Sequence, residues 1–190
     1  NYRRGGKRKT TKRFKPRRAP LPRIETVVRE GQNIVVQIVK EPIRTKGARI
    51  TSHISLPGRY LVYMPTVSHV GVSRRISSFE ERGRLKEILR NNKPQTGGFI
   101  ARTSCVGISE EKLLEDMKNL TETWQKIFEK QERAKPPLCL YTDLNIVMRS
   151  VRDNLSKDID RMVIDSREDY DQIKEYVEKN MPEHIDRIQL

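Results

Sequence analysis

The hydrophobic pattern changes period along the chain. Residues 33–41, NIVVQIVKE, are rich in β-branched side chains and predict a strand. PIRTKGARITSHISL, 42–56, opens with a turn and then alternates into a second strand, and RYLVYMP, 59–65, predicts a third. Pro57-Gly58 between them marks a tight turn or kink. SSFEERGRLKEILRN, 77–91, starts with two overlapping Ser-x-x-Glu boxes, Ser77/Glu80 and Ser78/Glu81, whose side chains satisfy the free N–H groups of a helix start. Phe79, Leu85, Ile88 and Leu89 then give a short amphipathic helix, weakened by Gly83. GGFIARTSC, 97–105, returns to a strand pattern. Ser109 caps a long helix with Glu110 and Glu111 in its first turn, where they complement the helix dipole. Its apolar stripe, from Leu113 and Leu114 through Met117, Leu120 and Trp124 to Ile127 and Phe128, recurs at helical spacing and is read as core. Pro136-Pro137 end that segment.

Beyond it, LCLYT (138–142) predicts a strand, NIVMRSVRDNL (145–155) a helix, DRMVIDS (160–166) a strand, REDYDQIKEYVEKN (167–180) a helix and IDRIQL (185–190) a strand. Strands dominate before residue 66, and strands and helices alternate from residue 97. The expected fold class is therefore α/β, of mixed α+β character: the end of a β module joined to an α/β module.

Charge changes the picture at one end only. The chain of 190 residues carries a formal net charge of +14, and residues 1–23 supply eleven Lys and Arg with no acid. The remainder is nearly balanced. The first segment is low in complexity, has little to bury and is expected to be disordered alone. Such a run calls for a polyanion, nucleic acid above all, because neutralising phosphates releases counterions; a solvated tail or a nuclear-localisation-like patch is the plainer reading. Phe14 within it offers one ring for base stacking. Cys105 and Cys139 are far apart and fit neither a metal spacing nor a disulfide framework, which favours a reducing compartment. No apolar run approaches a membrane span, and no signal peptide is visible. The chain starts at Asn1 and stops in the apolar-ended HIDRIQL, as expected of a piece of a longer protein.

Candidate chemistry gathers in short basic stretches. Arg102 offers a planar fork suited to phosphate oxygens, and Thr103 beside it offers a hydroxyl. Neighbouring strand side chains point to opposite faces, so the two converge only where the strand ends or bulges. The plainer alternative pairs Arg102 with a carboxylate and leaves Thr103 on the surface. Lys46-Gly47 is placed at a turn from which Lys46 reaches a phosphate, and Gly58 frees a backbone N–H for close approach to a ligand. Arg74-Arg75 form a compact positive loop before a helix. Asp153, Asp158, Asp160 and Asp165 are dense enough to invite a two-metal reading, but they fall at element ends where Asp caps. His53, His69 and His184 have no partner spacing for a metal or a triad and are read as structural or surface residues.

REGQNIVVQIVKEPIRTKGARITSHISLPGRYLVYMP, then GVSRRI, then GFIARTSCVG, in this order, resemble the ribonuclease E/G family of single-strand-specific endoribonucleases. The resemblance runs from about Val28 to Leu190 and is strongest over 29–107. It implies an S1 (OB-fold) RNA-binding domain, a 5′ sensor subdomain, an RNase H-like domain and a DNase I-like catalytic domain. On this chain it implies a basic arm or loop at 1–23, the end of S1 at 24–51, the 5′ sensor at 52–146 and an RNase H-like portion at 147–190. The 5′-monophosphate of RNA would be held by Gly58, Val62, Arg102 and Thr103, and the RNA strand would be contacted by Lys46, Arg74 and Arg75. Mg²⁺ and an inter-subunit structural zinc would be held by residues outside this chain, so the chain alone is expected not to cleave RNA. The resemblance also implies rRNA processing and mRNA decay in the cytoplasm, and a homo-oligomeric enzyme. A non-catalytic RNA-binding module acting through the S1 remnant and the basic arm stands as the alternative.

Overall fold

The computed structural model describes residues 22–156 and 158–190. All but the last two residues of the basic segment 1–23, Phe14 included, lie outside the described residues. The chain parts into two compact units, residues 1–34 and 35–190. In the first, a single helical turn, α1 (Ile24–Val27), is followed by a turn closed by Gln32 N–H on the Arg29 carbonyl at 3.1 Å.

The second unit opens with an antiparallel hairpin, β1 (Gln37–Lys40) and β2 (Arg49–Thr51). Ile43 and Lys46 exchange both backbone hydrogen bonds across the connecting turn, so the reversal is made by Arg44-Thr45 rather than by Lys46-Gly47. Arg44 adopts φ +52°, a conformation that gave no glycine signal in the sequence.

A four-stranded sheet forms the centre, ordered β3 (Leu56–Pro57), β4 (Leu61–Met64), β6 (Gly98–Ala101), β5 (Val70–Val72). β3–β4 and β4–β6 are antiparallel, whereas β5–β6 is parallel. The parallel pair requires a crossover, and α2 (Phe79–Asn92) provides it. Ser78 caps α2 by accepting from the Glu81 N–H at 3.1 Å. Gly97, at φ +85°, lets the chain turn back from the crossover into β6. One sheet face, carrying Leu61, Tyr63, Phe99 and Ala101, is buried against α2 and the long α3 (Glu110–Glu132). Tyr63 and Phe99 stack there with ring centroids 4.7 Å apart. The other face presents Val62 and Ile100, paired across β4–β6 and only half-buried. A second core joins α4 (Ile146–Asn154), α5 (Arg167–Asn180) and the short parallel pair β7 (Met162–Val163) and β8 (Ile188–Gln189).

Further expectations change, and Phe128, read as core, is 42% exposed. LCLYT forms no strand: Lys130 Nζ donates to the carbonyls of Cys139 and Leu140 at 2.9 and 3.2 Å, which occupies two acceptors a ladder would need. The strands expected at 160–166 and 185–190 shrink to two residues each, the second preceded by a 3₁₀ stretch, Pro182–Arg187. Phe79 is 88% exposed, because it is the first residue of α2 and lies beyond the reach of the core. Ser109 precedes α3 without a side-chain cap bond.

Candidate phosphate-binding site at the 57–60 turn

The turn between β3 and β4 is held from four directions. Gly58 N–H donates to the Leu61 carbonyl at 2.8 Å and closes the turn. From α3, the Asp116 carboxylate accepts the N–H groups of Arg59, Tyr60 and Leu61 at 3.3, 3.0 and 2.8 Å. A Cβ on Gly58 would stand 2.6 Å from that carboxylate and 2.9 Å from Leu120 Cδ1. The glycine is thus required by an acid above it, and its own N–H is spent inside the turn. Burial pushes the Asp116 carboxyl above its ordinary range, against the pull of its three N–H donors and of Arg102.

Arg102 follows β6, and its N–H donates to the Tyr60 carbonyl at 2.8 Å. Its Nη1 donates to the Gly58 carbonyl at 2.6 Å and to Asp153 Oδ1 at 2.8 Å, with Arg59 O at 3.4 Å. The carboxylate partner of the plainer sequence alternative is therefore real. Yet the other edge of the guanidinium, Nε with Nη2, has no protein partner among the described residues. Thr103 starts a 3₁₀ turn, Thr103–Cys105, and is exposed with its hydroxyl unpartnered among the described residues. The chain leaves the extended conformation at this point, so the alternation of faces lapses and the two side chains are released from opposition. Val62 lies on the open sheet face, while Gly58 is in the turn itself.

The cluster extends to residues that sequence reasoning did not assign. Arg152 in α4 is 6% exposed; it donates from Nη1 to the Pro57 carbonyl at 2.9 Å and from Nε to Asp153 Oδ1 at 3.0 Å. Arg59 reaches the Leu155 carbonyl with Nη2 at 2.6 Å and lies 3.4 Å from His184 Nε2. Ser104 Oγ donates to the Arg59 carbonyl at 2.7 Å. Burial raises the Asp153 carboxyl, but hydrogen bonds from Arg102 and Arg152 outweigh it and hold the group at about 2. A clue lay in the RD pair at 152–153, where an arginine directly follows a core valine, but the partners of the pair, Pro57 and Arg102, lie 95 and 51 residues upstream. Cys105 is buried and its thiol is pushed up to about 12, chiefly by burial, so it is an inert core group.

Lys46, Arg74 and Arg75 lie apart from this cluster by element. Lys46 closes the 43–46 turn. Arg74 and Arg75 are exposed on the loop after β5, and their side chains have no partner among the described residues. That loop is nonetheless fixed: Ser73 N–H donates to Ala101 O at 2.9 Å, and Arg82 Nη1 donates to Ser73 O at 2.6 Å. Asp158, Asp160 and Asp165 take no part in the cluster, whereas Asp153 is at its centre as a partner of arginines.

The fold is mixed α+β, and at one end of its central sheet Arg59, Arg102 and Arg152 gather around the 57–60 turn with Asp116 and Asp153. A model of the Ribonuclease E/G family matches residues 55–190. Ribonuclease G of Escherichia coli (strain K12) is 42% identical over 166 residues, which cover 87% of this chain and 34% of that protein. Ribonuclease G of Haemophilus influenzae (strain ATCC 51907) is 44% identical over 167 residues, 88% of this chain and 34% of its own length. Ribonuclease E of Nostoc sp. (strain PCC 7120) is 38% identical over 147 residues, 77% of this chain and 21% of its own. The chain belongs to the Ribonuclease E/G family. It spans about a third of the length of the ribonuclease G relatives it matches.

Proposed function

We propose that this chain is the RNA-engaging part of a single-strand-specific endoribonuclease of RNA processing and decay. Arg102 and Thr103 receive the 5′-monophosphate end of the substrate. The free Nε–Nη2 edge of Arg102 carries this reading: one edge of the fork is tied into protein, and the other matches two phosphate oxygens. The Thr103 hydroxyl adds a donor, the 57–60 turn forms the wall behind them, and Val62 offers apolar surface on the open face for the terminal nucleotide. Arg74, Arg75 and Lys46 contact the strand backbone.

Arg59, Arg102 and Arg152 stand against Asp116, Asp143 and Asp153, so the local charge is close to balanced. Affinity in such a seat comes from hydrogen-bond geometry more than from field, which suits one phosphate group and gives little reward to the extra charge of a triphosphate. Among the described residues no three His, Cys, Asp or Glu converge on a metal position. Mg²⁺, which supplies Lewis-acid activation for phosphodiester hydrolysis when bound, and the structural zinc are assigned to parts of the whole enzyme outside this chain. We place the intact enzyme in the cytoplasm as a homo-oligomer; no helix of the described residues is long and apolar enough to cross a membrane.

Equilibrium binding of a short single-stranded RNA with a 5′-monophosphate or a 5′-hydroxyl tests the reading. The parent chain should prefer the monophosphate, and Arg102→Gln with Thr103→Val should remove the preference, a loss of about 10- to 100-fold for a charge-assisted bidentate contact. Equal binding of both ends, with all affinity lost on raising salt or on deleting residues 1–23, would instead support the binding module that acts through its basic arm.

A further inference from the structure

The sequence places Asp153 at an element end, where Asp caps, yet its carboxylate touches the arginine on which the proposed phosphate site depends. Oδ1 accepts from Arg102 Nη1 at 2.8 Å and from Arg152 Nε at 3.0 Å, while Oδ2 lies 3.4 Å from Arg152 Nη2. Arg152 is itself immobilised, buried and bonded through Nη1 to the Pro57 carbonyl at 2.9 Å, with Asp143 Oδ1 3.8 Å away. Pro57 is the residue before Gly58, whose carbonyl takes the same Arg102 Nη1 at 2.6 Å. The chain Pro57 O, Arg152, Asp153, Arg102, Gly58 O therefore closes on the same turn from which it starts.

The guanidinium fork is planar and fixed, but the aliphatic torsions of the side chain can re-aim it and offer another of its edges. Here Nη1 has two hydrogens, and the Gly58 carbonyl and Asp153 take both. Rotation that turned Nη1 toward a ligand would break a bond to each. The Gly58 carbonyl is one acceptor and leaves the fork free to swing about it; the second acceptor, Asp153 on α4, removes that freedom.

We propose that Asp153 is the positioning residue of the 5′-phosphate site: held by buried Arg152, it ties Arg102 at Nη1 and so presents the Nε–Nη2 edge to the terminal phosphate. This rests on the reading of Arg102 given under Proposed function. The site is then built jointly by β6, the 57–60 turn and α4, not by the sheet alone. Asp153 acts through orientation and against its own charge, since a carboxylate beside a phosphate repels it; Arg152 offsets that charge at 3.0 Å.

The test uses the whole chain and a fluorescein-labelled single-stranded RNA decamer with a 5′-monophosphate or a 5′-hydroxyl. The ratio of the two affinities is measured for the parent, Asp153→Asn, Asp153→Glu, Arg102→Gln, and Asp153→Asn combined with Arg102→Gln, with thermal melting in parallel. Asp153→Asn should lower the ratio about 10-fold while 5′-hydroxyl RNA binds as before, and Asp153→Glu should fall between. In the Arg102→Gln background the Asn change should have no further effect, because its route runs through that guanidinium. An unchanged ratio in a folded Asp153→Asn chain overturns the inference, as does a raised ratio, which would make Asp153 an electrostatic brake. An equal loss in the Arg102→Gln background would also overturn it. If the Asn variant does not fold, Asp153→Glu decides: a ratio at or above the parent's is against the inference. A parent without monophosphate preference overturns the sensor reading itself, and the positioning role with it.

Discussion

Two groups of arginines in this chain meet opposite fates. Arg59, Arg102 and Arg152 converge on the 57–60 turn and spend donors on backbone carbonyls and on Asp153. Arg74 and Arg75, on the loop after β5, have side chains with no partner among the described residues. Both loops are tied by hydrogen bonds, but the first uses its arginines to make them and the second relies on Ser73, Ile76 and Arg82 instead. An arginine that orients one phosphate group has to be held. An arginine that follows a polyanion along its length only has to be free and near.

The sharpest way to break the contrast is to remove what holds the first turn. Asp116→Ala leaves three N–H groups without their acceptor, and equilibrium denaturation should show about 2–4 kcal/mol lost. A loss well under 1 kcal/mol would mean that the arginines alone suffice. Acid should loosen the same turn next. Asp153 is depressed to about 2 from an unfolded value near 3.8, so its stabilisation is whole above pH 4 and is lost as pH falls through 2. Allowing for solvent screening of a side chain one-third exposed, the effect is about 1–2 kcal/mol. Asp153→Asn should flatten that part of the stability–pH curve, and an unaltered curve would remove the ion pair from the account.

His184 extends the comparison to neutral pH. Burial, then the neighbouring Arg59, holds its imidazole below the ordinary 6.5, and its Nδ1 is buried without a partner among the described residues. Below pH 6.5 the unfolded chain takes up a proton that the folded chain resists, so stability should decline as pH falls toward the native value. Urea midpoints at pH 7.5 and 5.5 for the parent and His184→Gln check this, and the parent alone should show the drop.

The second loop should behave differently throughout. Arg74→Ala and Arg75→Ala should leave stability unchanged, weaken both kinds of RNA end alike, and each reduce the log–log salt slope of binding by about 1. A selective loss of monophosphate binding would instead move them into the 5′ site. The smallest effect is expected at Phe79, whose ring is bare: Phe79→Ser should alter stability by no more than about 0.5 kcal/mol.

Much of this was legible in the residues. α2 and α3 follow from apolar spacing and, for α2, from Ser78 at its start, because capping and amphipathicity act within a few residues. β4 and β6 follow from short apolar runs bounded by turns. LCLYT has a strand's composition but forms none, because strand identity needs a partner edge and a lysine from α3 takes its carbonyls instead. Phe79 has the spacing of a core residue yet is exposed, because helical spacing gives a face but does not say where the core ends along the axis.

At the site the sequence by itself determined the chemistry on offer: a guanidinium and a hydroxyl where a strand ends, a glycine in a turn, a pair of free arginines before a helix. Only the tertiary structure decided which edge of Arg102 is open, that Gly58 makes room for Asp116, and that Asp153 serves the site from another helix. The reason is range. Caps and periodicities are written within one turn or strand, whereas the bonds that orient Arg102 join residues 44 and 51 positions apart, and a pairing at that separation exists only once the chain has closed the loop between them.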